Sequence, residues 1–595
     1  MTDTTPPPAS GRKPYDGPTY TCQHPKLGAL TGRLIKSLHF PGTSTVQLRS
    51  ILYAQVHKRF APCVLLESIP DDFDARPHRD FTQFGHACPQ VGATKPAWFD
   101  AYGGPLEDDQ GLGFDEFTCL TLSVSVPESH LSSDNPKPLP VMIYVHGGGA
   151  QEGVGHVDGL HSSAPLAAYS SEVSLPVVTV NIGYRLDWLG SLVCQDMIEE
   201  YNGDPSVSLH GPFNLTIQDQ RAAFAWIHHF IGGFGGDAEN ITAFGESAGS
   251  ILLIYHICGS PERLFNRAIL QSGVIFGHDS FEDKESEYRG LLKHFEIEGS
   301  TAAERLEKLR QVPAEELAKY PGRHMMPFVD DIPGVNVPKS LFPRGRPTFM
   351  KQTSLISSCP WLGDIAIGDD FWEGYVFKDL LRPISAVRLV RGVRSIFPEK
   401  EAARLLCAYG LSLTPELAIE TDKNLFWRNV THFFGDIFFS VPIHQLVTRL
   451  ARRNTATTTT DSVASKRKVY RYSFSLSNPF FRSDHSFVTG HHFVETLFLF
   501  LTLLHRYPTH RDKWLERQAK ETARRWILFA NGKEPWDEYV VSESGDTNSA
   551  KMAVCDDIRG WHVKTMAQDE EESNPTRGAP GDTSAGEPGR KHTKR

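Results

Sequence analysis

The sequence has little of what metal sites, disulfide scaffolds and membrane spans require. Only nine cysteines occur among the 595 residues, too few to build a chain of this length around disulfides. No Cys-x-x-Cys pair or His/Cys cluster has the spacing of metal ligands, so we expect no metal site. The most apolar stretch, residues 493–504, is interrupted by Glu495 and Thr496 and is shorter than the roughly 20 residues that span a bilayer. We therefore expect no integral membrane association.

The chain also has no excess of positive charge. With 61 Lys and Arg against 71 Asp and Glu, the formal net charge is −10, which excludes the basic field that attracts a nucleic-acid backbone. The first 16 residues are polar and Pro-rich and lack the apolar core of a secretory signal peptide. We therefore expect a cytoplasmic protein with no nucleic-acid partner.

Three segments have compositions typical of disorder or low complexity. Residues 1–20 are rich in proline, residues 567–595 are rich in Glu, Gly, Pro and Lys, and residues from about 453 to 468 include a threonine run. Such segments cannot bury enough apolar area to fold. No internal repeat or linker interrupts the rest, so residues 21–566 are predicted to form a single domain.

Short apolar runs alternate with helical patterns along this domain. Strands are predicted at residues 140–145, 176–180, 240–244 and 469–474, and an amphipathic helix at residues 215–230. Near-continuous runs of β-branched residues separated by helices are typical of a parallel sheet covered on both faces. The sequence therefore predicts an α/β fold with a large, mostly parallel central sheet and helices on both faces.

The motif Gly245-Glu246-Ser247-Ala248-Gly249 follows the third of these strands and precedes a helical run. A bare Gly-x-Ser-x-Gly match is common by chance. At a strand-to-helix turn, however, the flanking glycines permit a sharp elbow that exposes the serine. The helix N-terminus beside it favours developing negative charge. Ser247 is therefore the predicted nucleophile.

A glycine loop, His146-Gly147-Gly148-Gly149, follows the first predicted strand. Its three glycines let the backbone approach a substrate carbonyl closely, with N–H groups free to donate hydrogen bonds to it. The simpler interpretation is a flexible turn, but the position directly after a core strand favours a functional loop. We predict an oxyanion hole formed by the N–H groups of Gly148, Gly149 and Ala248.

Further sequence blocks extend this pattern in order along the chain. They are residues 27–32, 85–90, 219–226, 234–237, 264–273 and 526–532. Together with the serine motif, the ordered set resembles the type-B carboxylesterases, which include the cholinesterases and many fungal esterases and lipases. The resemblance extends from about Leu27 to Tyr539 and implies the α/β-hydrolase fold.

The resemblance also implies the other two members of a catalytic triad. The family's acid is a Glu followed by Gly, a few residues after a Gly that ends a strand, and Glu373 has this position relative to Gly368 and Gly374. The family's base is a His three residues before an acidic residue, a pattern that His492 and Glu495 match. The resulting order Ser, Glu, His is the order that α/β-hydrolases use.

Other residues compete for these two positions. Asp364, Asp369 and Asp370 are rivals of Glu373 for the role of the acid, although loop capping is their simpler interpretation. His491 is one position away from the family's base, and we interpret it as a neighbour that points elsewhere. Glu373 alone combines the family's spacing with the Gly that follows it.

Cys88 and Cys119 match the positions of a disulfide in the family. In a reducing cytosol, two free thiols packed close together are an equally good interpretation. The resemblance therefore leaves both states open. Counting the free thiols of unfolded, unreduced protein would separate them.

The resemblance implies a serine carboxylic-ester hydrolase that works through an acyl-enzyme and needs no cofactor. Its expected substrate is a small, apolar ester. Two alternatives stay open: an acyltransferase that uses the same triad with an alcohol in place of water, and a non-catalytic binding relative that keeps only the fold. No oligomeric state follows from the sequence.

Overall fold

The computed structural model describes the chain from residue 15 to residue 573, with internal gaps. The described residues are 15–70, 79–90, 101–104, 106, 113–155, 159–201, 213–260, 262–274, 280–320, 322, 327, 361, 363–382, 385–411, 423–456 and 467–573. Most of the three segments expected to be disordered or of low complexity lies outside these ranges.

Twelve strands of the described residues form one large sheet, and four short strands form two separate pairs. In chain order the strands are β1 (Thr19–His24), β2 (Gly28–Lys36), β3 (Ser44–Leu52), β4 (Ala54–Gln55), β5 (Val64–Leu65), β6 (His86–Ala87), β7 (Gly113–Phe114), β8 (Thr121–Pro127), β9 (Leu139–Val145), β10 (Val178–Ile182), β11 (Gly236–Glu246), β12 (Arg267–Gln271), β13 (Asp364–Asp370), β14 (Val469–Ser475), β15 (Lys551–Asp556) and β16 (Gly560–Thr565). The large sheet has the order β1-β2-β3-β8-β10-β9-β11-β12-β13-β14-β15-β16. The short pairs are β4 with β5 and β6 with β7.

Helices connect most of the central strands. In chain order they are α1 (Glu128–Leu131), α2 (Ala164–Glu172), α3 (Asp187–Ser191), α4 (Gln195–Tyr201), α5 (Leu215–Phe230), α6 (Ala248–Gly259), α7 (Phe281–His294), α8 (Ala302–Gln311), α9 (Ala314–Ala318), α10 (Lys378–Leu381), α11 (Ala386–Ile396), α12 (Glu399–Ala408), α13 (Lys423–Gly435), α14 (Val441–Ala456), α15 (Thr496–Leu499), α16 (Asp512–Ala530) and α17 (Met566–Ser573). Turns of 3-10 helix lie at Ile231–Phe234, Glu373–Phe377 and Leu504–Arg506, and a π-helical turn lies at Asp436–Ser440.

The helical bounds agree with the sequence patterns in part. α5 has the predicted bounds, because its apolar residues recur at helical spacing over the whole segment. α14 ends at Ala456 and α17 at Ser573, so helix continues past the points where low complexity and disorder were expected to begin. The domain boundaries themselves stay predictions.

The middle of the large sheet is parallel. β9 pairs with β10 and β11, and parallel pairing continues through β12, β13, β14 and β15. β1, β2, β3 and β8 are antiparallel additions on one side, and β16 closes the other side as the antiparallel partner of β15. The predicted α/β fold with a large, mostly parallel sheet is confirmed.

Alternate side chains of the central strands enter two different apolar cores. On β9, Val141, Ile143 and Val145 belong to one buried cluster, and Met142 and Tyr144 belong to another. Successive side chains of a strand point to opposite faces of a sheet, so both faces of β9 are covered. This is why the sequence of the strand is apolar throughout rather than alternating.

We call the four helices α10, α11, α12 and α13 the helical layer. A third, smaller apolar cluster joins them. Its buried members include Leu381 of α10, Val393 of α11, Leu406 of α12 and Val430 of α13. The 3-10 turn Glu373–Phe377 joins the end of β13 to α10. The helical layer is therefore tethered directly to the sheet at the position of the predicted triad acid.

The carboxyl ends of the parallel strands carry the residues singled out in the sequence. β9 leads into the glycine loop, β11 into Ser247, β13 into Glu373, and β14 into the segment that contains His492. Because these strands are parallel, their carboxyl ends lie along one edge of the sheet. In open α/β sheets this edge is where ligands bind.

A buried ion pair fixes the chain after β10. Arg185 Nε and Nη2 donate to Asp219 Oδ2 and Oδ1 of α5 at 2.8 and 2.7 Å, and both side chains are almost fully buried. Arg185 Nη1 donates to the carbonyl of Ala61 at 2.7 Å. Two residues further on, the Asp187 N–H donates to the carbonyl of Ala150 at 2.8 Å. The ion pair thus supports the backbone that follows the glycine loop.

Asp219→Asn should lower the free energy of unfolding by about 3–5 kcal/mol, because it leaves the Arg185 guanidinium buried without its counter-charge. Glu316→Gln is the control, since both side chains of the Lys319–Glu316 pair are exposed and such pairs contribute about 0–1 kcal/mol. Denaturant-induced unfolding followed by circular dichroism measures both changes. Equal losses in the two variants would contradict the supporting role of the buried pair.

Candidate active site

Ser247 occupies a strained turn between β11 and α6. Its φ and ψ are 53° and −123°, a combination that residues other than glycine rarely adopt and that costs roughly 1–3 kcal/mol. The Ser247 N–H donates to the carbonyl of Gln271 on β12 at 2.8 Å, and the Ser247 carbonyl accepts from the N–H of Ile251 at 3.1 Å. Bonds to the sheet on one side and to the helix on the other hold the strained turn in place.

Close packing requires the two motif glycines. A Cβ added at Gly249 would lie 2.1 Å from the carbonyl oxygen of Val145, and one at Gly245 would lie 2.8 Å from the same atom. Both distances are shorter than any that real Cβ atoms adopt against backbone. The Gly-x-Ser-x-Gly spacing therefore follows from the contact of the start of α6 with the end of β9.

Glu373 and His492 are joined directly. Glu373 begins the 3-10 turn after β13 and is 1% exposed. Its Oε2 accepts a hydrogen bond from His492 Nδ1 at 2.5 Å, and its Oε1 accepts one from the N–H of Asp370 at 2.7 Å. The bond from Asp370 fixes the carboxylate, and the bond to Nδ1 leaves Nε2 as the basic nitrogen of a neutral His492 ring.

The residues that competed for these positions face other partners. Asp364 Oδ1 accepts from a backbone N–H at 2.9 Å, and Asp369 forms a buried ion pair with Arg471. The ring of His491 is turned away, because its Nε2 lies 3.0 Å from Asn478 Nδ2 and its Nδ1 lies 2.7 Å from a backbone carbonyl oxygen. The structure thus brings Glu373, and neither of these two aspartates, to the imidazole of His492.

Among the hydrogen bonds of the described residues, none joins Ser247 Oγ to His492. Instead, His492 Nε2 lies 3.2 Å from Oε1 of Glu246, the residue before the serine. The imidazole is thus held between two carboxylates, Glu373 at Nδ1 and Glu246 at Nε2. Glu246 was not among the site residues predicted from the sequence, although its place beside Ser247 at the end of a strand was an available signal.

Four buried carboxyl groups lie close together here. They belong to Glu246, Asp370, Glu373 and Glu495. Glu495 Oε1 accepts hydrogen bonds from Gln271 Nε2 at 2.7 Å and from the hydroxyl of Tyr472 at 3.1 Å. Asp370 Oδ2 accepts one from the hydroxyl of Ser272 at 3.4 Å. These donors satisfy part of the polar surface that burial removes from water.

Burial and mutual proximity shift the pKa values of these groups. Burial raises the pKa of Glu246 to about 7 and that of Glu495 to about 8, and it raises the pKa of Asp370 well above its usual range. Burial by itself would lower the pKa of His492, but the charges of Glu246 and Glu373 raise it to about 9. At neutral pH the site therefore favours the imidazolium form of His492 and the protonated form of Glu495, and burial favours the protonated form of Asp370 in the same direction.

The glycine loop presents free N–H groups beside the serine. Gly148 and Gly149 have φ values of 96° and 65°, which glycine adopts without strain. Within the described residues, the N–H groups of Gly148, Gly149 and Ala248 donate to no other atom. A Cβ added at Gly147 would lie 3.2 Å from Ser247 Cβ, so the loop and the serine are neighbours. The role of the three N–H groups as an oxyanion hole stays a prediction.

Cys88 and Cys119 are free thiols in the structure. The hydrogen bond between their side chains, together with burial, raises the pKa of Cys119 well above its usual range. Cys88 Sγ also accepts a hydrogen bond from the N–H of Leu186 at 3.3 Å. The two sulfurs are therefore adjacent, as both interpretations of the sequence require, and a disulfide between them stays a prediction.

Comparison with known families agrees with this geometry. A model of the carboxylesterase family matches residues 21–555, which is nearly the whole chain. The chain belongs to the carboxylesterase family. The α/β-hydrolase fold of this family accounts for the large sheet and for the position of the serine turn at its edge. The family resemblance expected from the sequence is confirmed.

Curated relatives of this carboxylesterase-family chain match it over parts of their lengths. The inactive carboxylesterase-like protein VdtD of Byssochlamys spectabilis is 34% identical over 194 residues, which are 33% of this chain and 29% of that protein. Lipase 1 of Yarrowia lipolytica is 35% identical over 38% of this chain and 42% of the lipase. The para-nitrobenzyl esterase of Bacillus subtilis is 28% identical over 59% of this chain and 64% of the esterase. The chain thus covers less than two thirds of each of these three relatives.

Two kinds of feature are absent from the described part of the chain. Within it, no helix combines the length and the apolarity needed to cross a lipid bilayer. The same residues contain no group of three or more His, Cys, Asp or Glu side chains arranged to hold a metal ion. The expected cytoplasmic location stays a prediction.

We expect kcat/KM for a soluble ester such as p-nitrophenyl acetate to rise with pH through about 9, because His492, the predicted base, can accept a proton only when its ring is neutral. Glu246→Gln removes a negative charge that stabilises the imidazolium, so the pKa of His492 should fall and the rise should move to lower pH. Glu239→Gln, an exposed position on the same strand, is the control. An unshifted profile in Glu246→Gln, or an equal shift in the control, would contradict the assignment.

Gly249→Ala should distort the serine turn, because the added Cβ meets the carbonyl of Val145 and neither backbone can give way cheaply. We expect a loss of at least about a hundredfold in kcat, since an ångström of misplacement at a reacting group costs about that much. Gly232→Ala is the matched control, with nothing within 4 Å of its added Cβ. Thermal unfolding of both variants shows whether the loss comes from the turn or from the whole fold.

Proposed function

We propose that the chain hydrolyses carboxylic esters through an acyl-enzyme formed on Ser247. The observation that carries the proposal is the 2.5 Å hydrogen bond between Glu373 Oε2 and His492 Nδ1, at the edge of the sheet where the strained turn presents Ser247. A buried carboxylate that orients an imidazole beside a serine is the arrangement of serine hydrolases on several unrelated folds. Membership of the carboxylesterase family supports the same chemistry.

The reaction begins when His492 loses its proton. With Nδ1–H held by Glu373, Nε2 accepts the proton of Ser247 as the serine Oγ attacks the ester carbonyl carbon. Nε2 faces Glu246 in the structure, so the proposal includes a shift of the imidazole toward Ser247 when substrate binds. Catalytic hydrogen bonds of apo sites often tighten only in the complex with substrate. His492 then returns the proton to the leaving alcohol, and water cleaves the acyl-enzyme.

Stabilisation of the tetrahedral intermediate is assigned to the N–H groups of Gly148, Gly149 and Ala248. Among the described residues these N–H groups have no other acceptor, which leaves them free for the oxyanion. One donor of this kind contributes on the order of 3 kcal/mol to transition-state stabilisation. The start of α6 adds the favourable end of the helix dipole at the same place. No cofactor enters any of these steps.

The proposed substrate is a small, apolar ester. Aromatic rings pack beside the base: the ring of Phe439 lies 4.9 Å from that of His492, and Phe377 packs on Phe439 with ring centroids 5.9 Å apart. Apolar surface of this kind excludes water and strengthens the electrostatic interactions of the site. The same triad would serve an acyltransferase, which analysis of products with added alcohol would reveal.

Labelling with a fluorophosphonate probe tests the proposal. We expect the label on the peptide that contains Ser247 and none in Ser247→Ala, because only an activated serine attacks the phosphorus. Ser250→Ala is the matched control, since Ser250 is buried on α6 and donates to the carbonyl of Gly273. Absence of label from folded wild-type protein would overturn the proposal and favour a non-catalytic binding relative of the fold. One relative, VdtD, is named an inactive carboxylesterase-like protein.

A further inference from the structure

The surface of α10 and α11 carries a local excess of positive charge. Within residues 378–394 there are five basic residues and one acidic residue. The basic residues are Lys378, Arg382, Arg388, Arg391 and Arg394, and the acidic residue is Asp379. The whole chain has a net charge of −10, so this surface is opposite in sign to the molecule that carries it.

Helical spacing places three of these arginines on one outward stripe. Arg388, Arg391 and Arg394 are exposed, whereas Leu389 and Val393 on the opposite side are buried in the cluster of the helical layer. Arg394 lies 3.7 Å from an exposed glutamate, a contact worth little in water. Among the ion pairs of the described residues, none involves Arg388 or Arg391. Within that part of the chain, these two guanidinium groups have no carboxylate partner.

Exposed apolar side chains are interspersed with this charge. Leu380 of α10 is 71% exposed, Val387 of α11 is 41% exposed, and Val376 in the preceding 3-10 turn is 45% exposed. Large apolar side chains grouped beside basic ones mark surfaces that contact a partner with both apolar and anionic components. A purely electrostatic partner would give no reason for the exposure of Leu380.

This surface is close to the proposed active site along the chain. Glu373 begins the 3-10 turn that contains Val376 and that runs directly into α10. Phe377, the last residue of the turn, packs on Phe439, which contacts the ring of His492. A partner bound at α10 and α11 would therefore lie next to the elements that hold the triad acid.

We propose that the outward face of α10 and α11 docks the protein on an anionic lipid surface. The arginines pair with lipid phosphate and carboxylate groups, while Leu380, Val387 and Val376 enter the boundary between headgroups and acyl chains. Such docking would bring the site to apolar esters dissolved in the bilayer. Binding does not depend on the proposed hydrolysis, so Ser247→Ala protein should dock as well as wild type.

Flotation with lipid vesicles measures the docking. We expect wild-type protein to float with vesicles of phosphatidylcholine that contain about 30% phosphatidylserine and not with phosphatidylcholine alone. The triple variant Arg388→Gln/Arg391→Gln/Arg394→Gln should bind the anionic vesicles about a hundredfold more weakly, or about fivefold per arginine, which is about 1 kcal/mol each. Leu380→Ser should weaken binding about tenfold, because the inserted side chain is lost.

A second triple variant removes the same charge elsewhere. Arg517→Gln/Arg524→Gln/Lys533→Gln changes exposed residues on and after α16 and should leave vesicle binding within about twofold of wild type. Hydrolysis of soluble p-nitrophenyl acetate should be unchanged in all these variants, which separates the docking proposal from the proposed function.

Three results would overturn the docking proposal. The first is wild-type protein that stays unbound in the presence of anionic vesicles. The second is an equal loss of binding in the two triple variants, which would indicate a response to net charge. The third is binding to heparin that depends on the arginines, together with vesicle binding that is indifferent to Leu380→Ser. That pattern would identify an acidic polymer as the partner.

Discussion

The hydrogen-bond ladder that joins β11, β12, β13 and β14 brings together groups that are far apart in the sequence. One row of paired residues crosses the four strands: Gly245, Leu270, Ile367 and Arg471. From this common row the chain continues to Ser247, Glu373 and the segment of His492. A slip of one residue in any pairing would turn the side chains of a strand to the other face. The contact of Glu373 with His492, the packing of the glycine loop on the serine turn and the anchoring of the helical layer all depend on this register.

The ladder also concentrates negative charge, because carboxyl groups end or follow neighbouring strands. Water cannot screen Glu246, Asp370, Glu373 and Glu495 once they are buried, so the group can be stable only with some members protonated and with an imidazolium among them. The two carboxylates beside His492 have opposite consequences. In the proposed mechanism Glu373 orients the ring for proton transfer, whereas the charge of Glu246 stabilises the imidazolium, which cannot accept a proton. Glu246 therefore lowers the fraction of His492 that is neutral at a given pH.

Regular patterns in the sequence made part of the fold and part of the candidate site predictable. β9 and α5 were predicted because apolar residues recur along the whole length of each element. The serine turn was predicted because glycines on both sides of the serine are typical of a tightly packed turn. The pairing of Glu373 with His492 was implied by family resemblance, since no periodicity connects residues so distant. Glu246 was missed because spacing does not reveal which buried carboxylate faces which ring nitrogen. Residues 493–504 could not be assigned to helix or strand, because a segment buried on all sides has no period. In the structure they form α15 with turns on either side of it.

The order of the strands has a consequence for biosynthesis. β13 and β14 are neighbours in the sheet, yet the helical layer and α14 are synthesised between them. A ribosome releases the serine turn long before it releases His492, and a nascent chain that already contains the turn has no imidazole to complete it. Contacts of such long sequence separation form slowly, and the unpaired edge of β13 is open to other chains until β14 arrives. Folding during translation should therefore be most vulnerable to aggregation in this interval, when a chaperone that covers exposed strand edges would help most.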